Sequence, residues 1–234
     1  MSGKTAVIVG ASGGIGRAMA DVLEQEDEFA QVVRFSREAD SPIAVDLTSE
    51  PSIQSAAHWL KDANIKPHMI FVATGLLHNE QNGPEKSMRE LSPQWMLENY
   101  QINAVGPALI AKHFLPLMPN DQITKFAAIS ARVGSISDNR LGGWYGYRAA
   151  KAALNMIIRN LSIEWARKNN RSIIVALHPG TVDTGLSKPF QSNVLPGKLF
   201  DPERAALQLL DVLDGLKPVD SGKIFAWDGE EIKP

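Results

Sequence analysis

The chain has 234 residues, which at about 150 residues per domain gives between one and two domains and is long enough for one sizeable core. Its 44% apolar and 21% charged residues match soluble globular proteins and exclude wholesale disorder, collagen-like repeats and coiled coils. With no cysteine and a net charge of −2, it has no disulfides, thiolate metal sites or cysteine nucleophiles, and no overall field to steer it to nucleic acid or an anionic membrane.

Met1, Ser2, Gly3 and Lys4 pass directly into an apolar run with no export-signal pattern, so a cytoplasmic protein is expected. The most apolar stretches, 69–73 and 173–177, are far shorter than the ~18 residues that span a bilayer, so no membrane partner is expected. In chain order, short β-branched runs at 5–9, 32–35, 43–45, 68–72, 125–130, 172–177 and 223–226 predict seven strands. Segments of helical period lie between them at 16–25, 51–62, 93–117, 147–169 and 202–213. Ser92 before Pro93 and Asp201 before Pro202 mark two helix starts, each a capping oxygen followed by Pro at the first helical position. Continuously apolar strands alternating with helices predict an α/β fold, a Rossmann-type doubly wound and mainly parallel sheet covered on both faces. No repeat or linker divides the chain, so one domain over 1–234 is expected. The irregular stretches 76–91 and 185–200 are long enough to be binding walls or lids.

The first strand runs into Gly10-Ala11-Ser12-Gly13-Gly14-Ile15-Gly16 and then a helix. In that setting a glycine-rich turn brings backbone N–H groups and a helix N-terminus against a pyrophosphate, whereas the plain alternative is a tight turn that binds nothing. Further on, Tyr147 and Lys151 are four residues apart, one above the other on a helix face. An ammonium beside a phenol favours the phenolate, so such a pair can relay a proton to a carbonyl oxygen.

Taken together, these motifs resemble the short-chain dehydrogenase/reductase family over nearly the whole chain. Asp46-Leu47, Ala73-Thr74-Gly75, Asn103-Ala104, Ile129-Ser130 and Pro179-Gly180-Thr181-Val182-Asp183-Thr184 extend the match in order and spacing. The stretch from Ser130 through Gly134 to Ile136 is similar to the branch of C-factor-like proteins and small carbonyl reductases. The resemblance implies an NAD(P)-dependent oxidoreductase that moves a hydride between nicotinamide and a carbonyl or secondary alcohol. In it Tyr147 is the general acid or base, Lys151 tunes it and holds the nicotinamide ribose, and Asn103 holds a water in the proton path. The family's serine falls on Ala131, leaving Ser130, at the carboxyl end of its strand, as the favoured replacement and Ser135 as its competitor. The resemblance places Gly10, Ser12, Gly13, Gly14, Ile15 and Gly16 against the cofactor's phosphates. Asp46 and Leu47 flank its adenine, Ala73, Thr74 and Gly75 its adenosine ribose, and Pro179, Gly180, Val182 and Thr184 its nicotinamide end.

Cofactor choice is read at Ser36 and Arg37, about 20 residues past the glycine turn, where an acidic residue would bind the NAD ribose. A hydroxyl and a guanidinium suit a 2′-phosphate instead, so NADP is preferred over NAD. Trp144, with Leu76, Leu77 and Leu186, is a candidate wall of the substrate pocket, with ordinary packing as the alternative. His58, His68, His78, His113 and His178 share no metal-ligand spacing, so no metal is expected and they are read as surface or satisfied side chains. The basic run at 167–171 reads as a solvated helix end, not a nucleic-acid patch. The family implies a homodimer or homotetramer built on the fourth and fifth helices, and small-molecule carbonyl or alcohol substrates. A second reading, a non-catalytic dinucleotide sensor that partners another protein, is motivated by Ala131 and opposed by Tyr147, Lys151 and Asn103.

Overall fold

The computed structural model describes residues 3–38 and 41–234. Its strands are β1 (Lys4–Val9), β2 (Phe29–Phe35), β3 (Met69–Val72), β4 (Lys125–Ile129), β5 (Ile173–His178), β6 (Thr181–Val182), β7 (Leu199–Phe200) and β8 (Ile224–Ala226). Six form one sheet in the order β2-β1-β3-β4-β5-β8, every neighbouring pair parallel, and β6 pairs with β7 apart from it.

Strand alternation divides the core. Ala6 and Ile8 face one side, packed with helices α1 (Gly14–Leu23) and α6 (Pro202–Gly215). Val7 and Val9 face the other, packed with α2 (Glu50–Asp62), the rod made of α3 (Pro93–Tyr100) and α4 (Gly106–Phe114), and α5 (Tyr145–Trp165). Both faces are buried, which explains why the strands carry continuous apolar runs. The predicted caps form, with Ser92 Oγ accepting from the Trp95 N–H at 3.4 Å and Asp201 Oδ1 from the Arg204 N–H at 2.9 Å.

Two expectations are corrected. The segment 43–45 is not a strand, so the main sheet has six strands, not seven. Pro42, just before it, has no N–H to give a ladder, and the segment is tied to β2 mainly by the Val45 N–H on the Ser36 carbonyl at 2.8 Å. The predicted helix 93–117 is one rod in pieces: α3, a single π-helical turn over Gln101–Val105, α4, and a 3₁₀ turn over Leu115–Leu117. A π turn inserts one residue into the helical register and re-aims the side chains it carries. Asn103 sits inside it.

Candidate active site

Because the six strands are parallel, their carboxyl ends share one edge of the sheet. The order reverses at β1, between β2 and β3, and a crevice opens there. Gly10, with φ +88°, turns the chain sharply, and its N–H and that of Ala11 both donate to the Phe35 carbonyl, at 2.9 and 3.1 Å. A side chain on Gly16 would run into the Gly10 carbonyl, so this glycine lets α1 lie close against the turn. Gly13, the residue before α1, supplies no side-chain cap, which leaves first-turn N–H groups without that partner.

A cavity of about 270 Å³ occupies this crevice. Gly10, Ser12 and Gly13 line it after β1, Ser36 and Arg37 after β2, Asp46 and Leu47 beside them, and Ala73, Thr74 and Gly75 after β3. The Asp46 carboxylate is held below its usual range, chiefly by the Thr48 N–H and hydroxyl at 2.9 and 2.8 Å, with the Arg37 charge adding to the effect. Thr74 Oγ1 is buried without a hydrogen-bond partner among the described residues. An uncapped helix start, an unmet hydroxyl and a guanidinium on one crevice fit a phosphate-bearing dinucleotide. Gly14 and Gly16 line neither this cavity nor the next; a Cβ on Gly14 would come within 2.6 Å of Thr184, so packing fixes both glycines.

A second cavity of about 270 Å³ lies over the ends of β4 and β5. Ile15, Ser130, Tyr147, Pro179, Gly180, Val182 and Thr184 line it together with Trp144, Leu77 and Leu186, whereas Leu76 lines the first cavity. Trp144 stands edge-on to Tyr147, with ring centroids 6.3 Å apart, and 5.3 Å from Phe190, forming an aromatic wall.

Tyr147 and Lys151 lie one turn apart on α5, both buried. Lys151 Nζ donates to the Ile129 carbonyl at 2.8 Å and lies 5.7 Å from the Tyr147 ring centroid. The expected lowering of the phenol's pKa is not found. Burial pushes Tyr147 above the usual phenol range and brings Lys151 down to about 7, because desolvation opposes both charged forms. Burial thus favours the neutral phenol of Tyr147.

The side-chain amide of Asn103 bonds the chain after β3 and its own helical rod. Its Oδ1 accepts from the Leu76 N–H at 3.0 Å, and its Nδ2 donates to the Leu76 carbonyl at 2.7 Å and to Asn99 Oδ1 at 3.3 Å. The π turn aims it there, and it staples the chain after β3 to the rod. A Cβ on Gly75 would lie 3.5 Å from Asn103 Oδ1 and 3.9 Å from Lys151 Nζ, so Gly75 fits between them.

Ser130 lines the second cavity, but its hydroxyl donates to Asn155 Oδ1 at 2.7 Å. Ser135 is outside that cavity, donating to the Lys233 carbonyl at 2.5 Å and accepting from the Asp138 N–H at 3.1 Å. Ala131 is the residue that packs with Leu77 and Tyr147. His178 is half-buried and not satisfied: its Nδ1 is buried without a partner among the described residues, it lines the second cavity, and burial takes its pKa down to about 4.

Phe190, Val133 and His178 were not legible as lining residues, since the first two sit in short 3₁₀ turns and the third at a strand end, where periodicity carries no message. Asn155 had a signal, the continued spacing of four from Tyr147 through Lys151 along α5.

The family model for short chain dehydrogenases matches residues 4–194. The chain belongs to the short-chain dehydrogenase family. Among relatives of this short-chain dehydrogenase, the 1-hydroxy-2-glutathionyl-2-methyl-3-butene dehydrogenase of Rhodococcus sp. (strain AD45) is 31% identical over 234 residues, covering 96% of this chain and 97% of the relative. The C-signal protein of Myxococcus xanthus is 35% identical over 137 residues, 58% of this chain and 77% of that protein. The crystal structure of NADPH-bound carbonyl reductase from chicken fatty liver superposes with a TM-score of 0.86 at 22% identity, covering 100% of this chain and 95% of that one, a likeness of fold. As a short-chain dehydrogenase, the protein is an NAD(P)-dependent oxidoreductase. No helix among the described residues is long and apolar enough to cross a membrane.

Proposed function

We propose that this short-chain dehydrogenase reduces uncharged, apolar carbonyl compounds, prefers NADPH to NADH, and uses Tyr147 as the proton donor. The observation that carries this reading is the Tyr147 side chain, buried and lining an apolar cavity one helical turn from Lys151. The nicotinamide, when bound, supplies the hydride. The residues after β1, β2 and β3 hold the dinucleotide, Arg37 by pairing with a 2′-phosphate, and those after β5 border its nicotinamide end. The chicken carbonyl reductase, with bound NADPH, has the same fold, which supports the cofactor choice.

Tyr147 donates its proton to the carbonyl oxygen as charge develops there. The phenolate left behind favours the ammonium form of Lys151 and is reprotonated from solvent before the next turnover, which closes the proton balance of the reduction. Asn103 is a positioning residue, fixing Leu76 between the two cavities. Leu77, Val133, Trp144, Leu186 and Phe190 exclude water and give no counter-charge, and none of the described lining residues carries a charge at neutral pH.

Leu97 and Tyr100 on α3 and Met156 and Ile163 on α5 are exposed, and we assign this apolar face to a homo-oligomeric contact. The function is tested with NADPH and NADH against matched substrates, benzaldehyde and 4-carboxybenzaldehyde among them. NADPH-dependent turnover of the neutral aldehyde with rejection of the carboxylate is expected. Equal turnover of both, or preference for the carboxylate, contradicts the apolar reading.

A further inference from the structure

We infer that Glu85, in the irregular stretch after β3, is a positioning residue for the reaction: it caps α5 from 61 residues away and thereby fixes Tyr147 and Trp144. This rests on Tyr147 being the proton donor proposed above. Four observations converge on it. Glu85 is a carboxylate that is 3% exposed, and both its oxygens accept from the Gly146 N–H, at 3.3 and 3.1 Å. Its backbone carbonyl accepts from the Trp144 N–H at 2.5 Å. The helix start has no cap of its own, since Trp144, the residue before it, is left-handed with φ 52° and its side chain makes no capping bond. Finally, a Cβ on Gly146 would lie 3.0 Å from Glu85 Oε1 and 3.6 Å from Asn99 Nδ2, so the glycine lets the helix start close against the carboxylate.

The consequence follows from the chain order. Gly146 lies between Trp144 and Tyr147, the aromatic wall and the proton donor of one cavity. A helix start without a cap frays, and the carboxylate both meets an orphan N–H and complements the positive end of the helix. Glu85 thus holds the phenol and the wall in register, although it does not line the cavity itself.

The full-length protein is compared with Glu85→Gln, Glu85→Asp and Glu85→Ala. Glutamine still presents an oxygen to the Gly146 N–H, whereas aspartate keeps the charge but is too short to reach it. Below each variant's melting temperature, we expect Glu85→Ala and Glu85→Asp to lose about 10- to 100-fold in kcat/KM for benzaldehyde, the scale of a displaced catalytic group. Glu85→Gln is expected to stay within about threefold of the wild type, and NADPH affinity to hold in all three, because a cap is a local contact. Trp144 emission, isolated by subtracting the same variants in a Trp144→Phe background, shifts in Glu85→Ala and Glu85→Asp but not in Glu85→Gln. A purely stabilising contact lowers the melting temperature and leaves both readouts unchanged in the folded protein, and that result overturns the inference. So does a Glu85→Gln as impaired as Glu85→Ala. Tyr147→Phe separates the two claims: if it keeps turnover, the proton-donor reading fails, and the Trp144 signal still decides whether Glu85 positions the helix.

Discussion

Ser130 donates its hydroxyl proton to Asn155 Oδ1 at 2.7 Å, which ties the end of β4 to α5 two turns beyond Tyr147. The hydroxyl's proton is thus committed to Asn155, and the residue packed with Tyr147 is Ala131. Ser130→Ala leaves the Asn155 acceptor unmet and is expected to cost about 1–3 kcal/mol of stability, read by chemical denaturation, while kcat changes little. Ala131→Ser places a hydroxyl beside Tyr147 and is expected to raise kcat for simple ketones by up to about tenfold, less than a fully preorganised donor supplies. Collapse of turnover in Ser130→Ala with unchanged stability would reverse these roles.

Ser36 and Arg37 line the first cavity just past the end of β2, and the proposed NADPH preference rests on Arg37 pairing with a 2′-phosphate there. A charged hydrogen bond contributes about 1.5–3 kcal/mol, or roughly 10- to 100-fold in affinity. Arg37→Ala is expected to weaken NADPH binding by that factor and leave NADH binding unchanged, as followed by cofactor fluorescence. Equal weakening of both would show that Arg37 does not read the phosphate.

His178 gives a pH prediction. Burial lowers its pKa from 6.5 to about 4, so the folded state resists its protonation while the unfolded chain accepts it. The stability tied to a neutral His178 is complete above about pH 6.5 and drains away as the pH falls towards 4. Thermal melting should therefore decline across that window in the wild type and decline less in His178→Gln. Parallel curves for the two proteins would place the acid sensitivity elsewhere.

The sheet was largely legible because a buried parallel strand needs an unbroken apolar run, and six such runs stand out. Residues 43–45 imitate one at the shortest length, and only the hydrogen-bond ladder distinguishes a strand from a tethered loop there. The glycine turn, Tyr147 and Lys151 were legible because local spacing fixes their geometry. Side-chain commitments were not. Whether Ser130 faces substrate or Asn155, or Asn103 a water or Leu76, depends on partners 25 and 27 residues away. Glu85 was hidden for the same reason, and the upward shift of Tyr147 comes from a burial that spacing does not reveal.

Tyr147 is pushed above the usual phenol value of 10.0, so it keeps its proton through the neutral and mildly alkaline range. Carbonyl reduction should then hold a level kcat from about pH 8 to about pH 10, and alcohol oxidation, which needs the phenolate, should rise with pH over the same range. Steady-state rates in both directions check this. A reduction rate falling about tenfold per pH unit above 8 would mean that the phenol titrates about two units below its ordinary value, and would contradict the upward shift.

The most direct measurement follows NADPH binding and benzaldehyde reduction in the wild type and in Tyr147→Phe. Phenylalanine preserves the ring against Trp144 and removes only the hydroxyl. Cofactor affinity is expected to stay within about twofold while kcat falls by about 10²- to 10⁴-fold, the range for a lost general acid. Wild-type turnover in Tyr147→Phe would contradict the account, because the proton would then come from elsewhere.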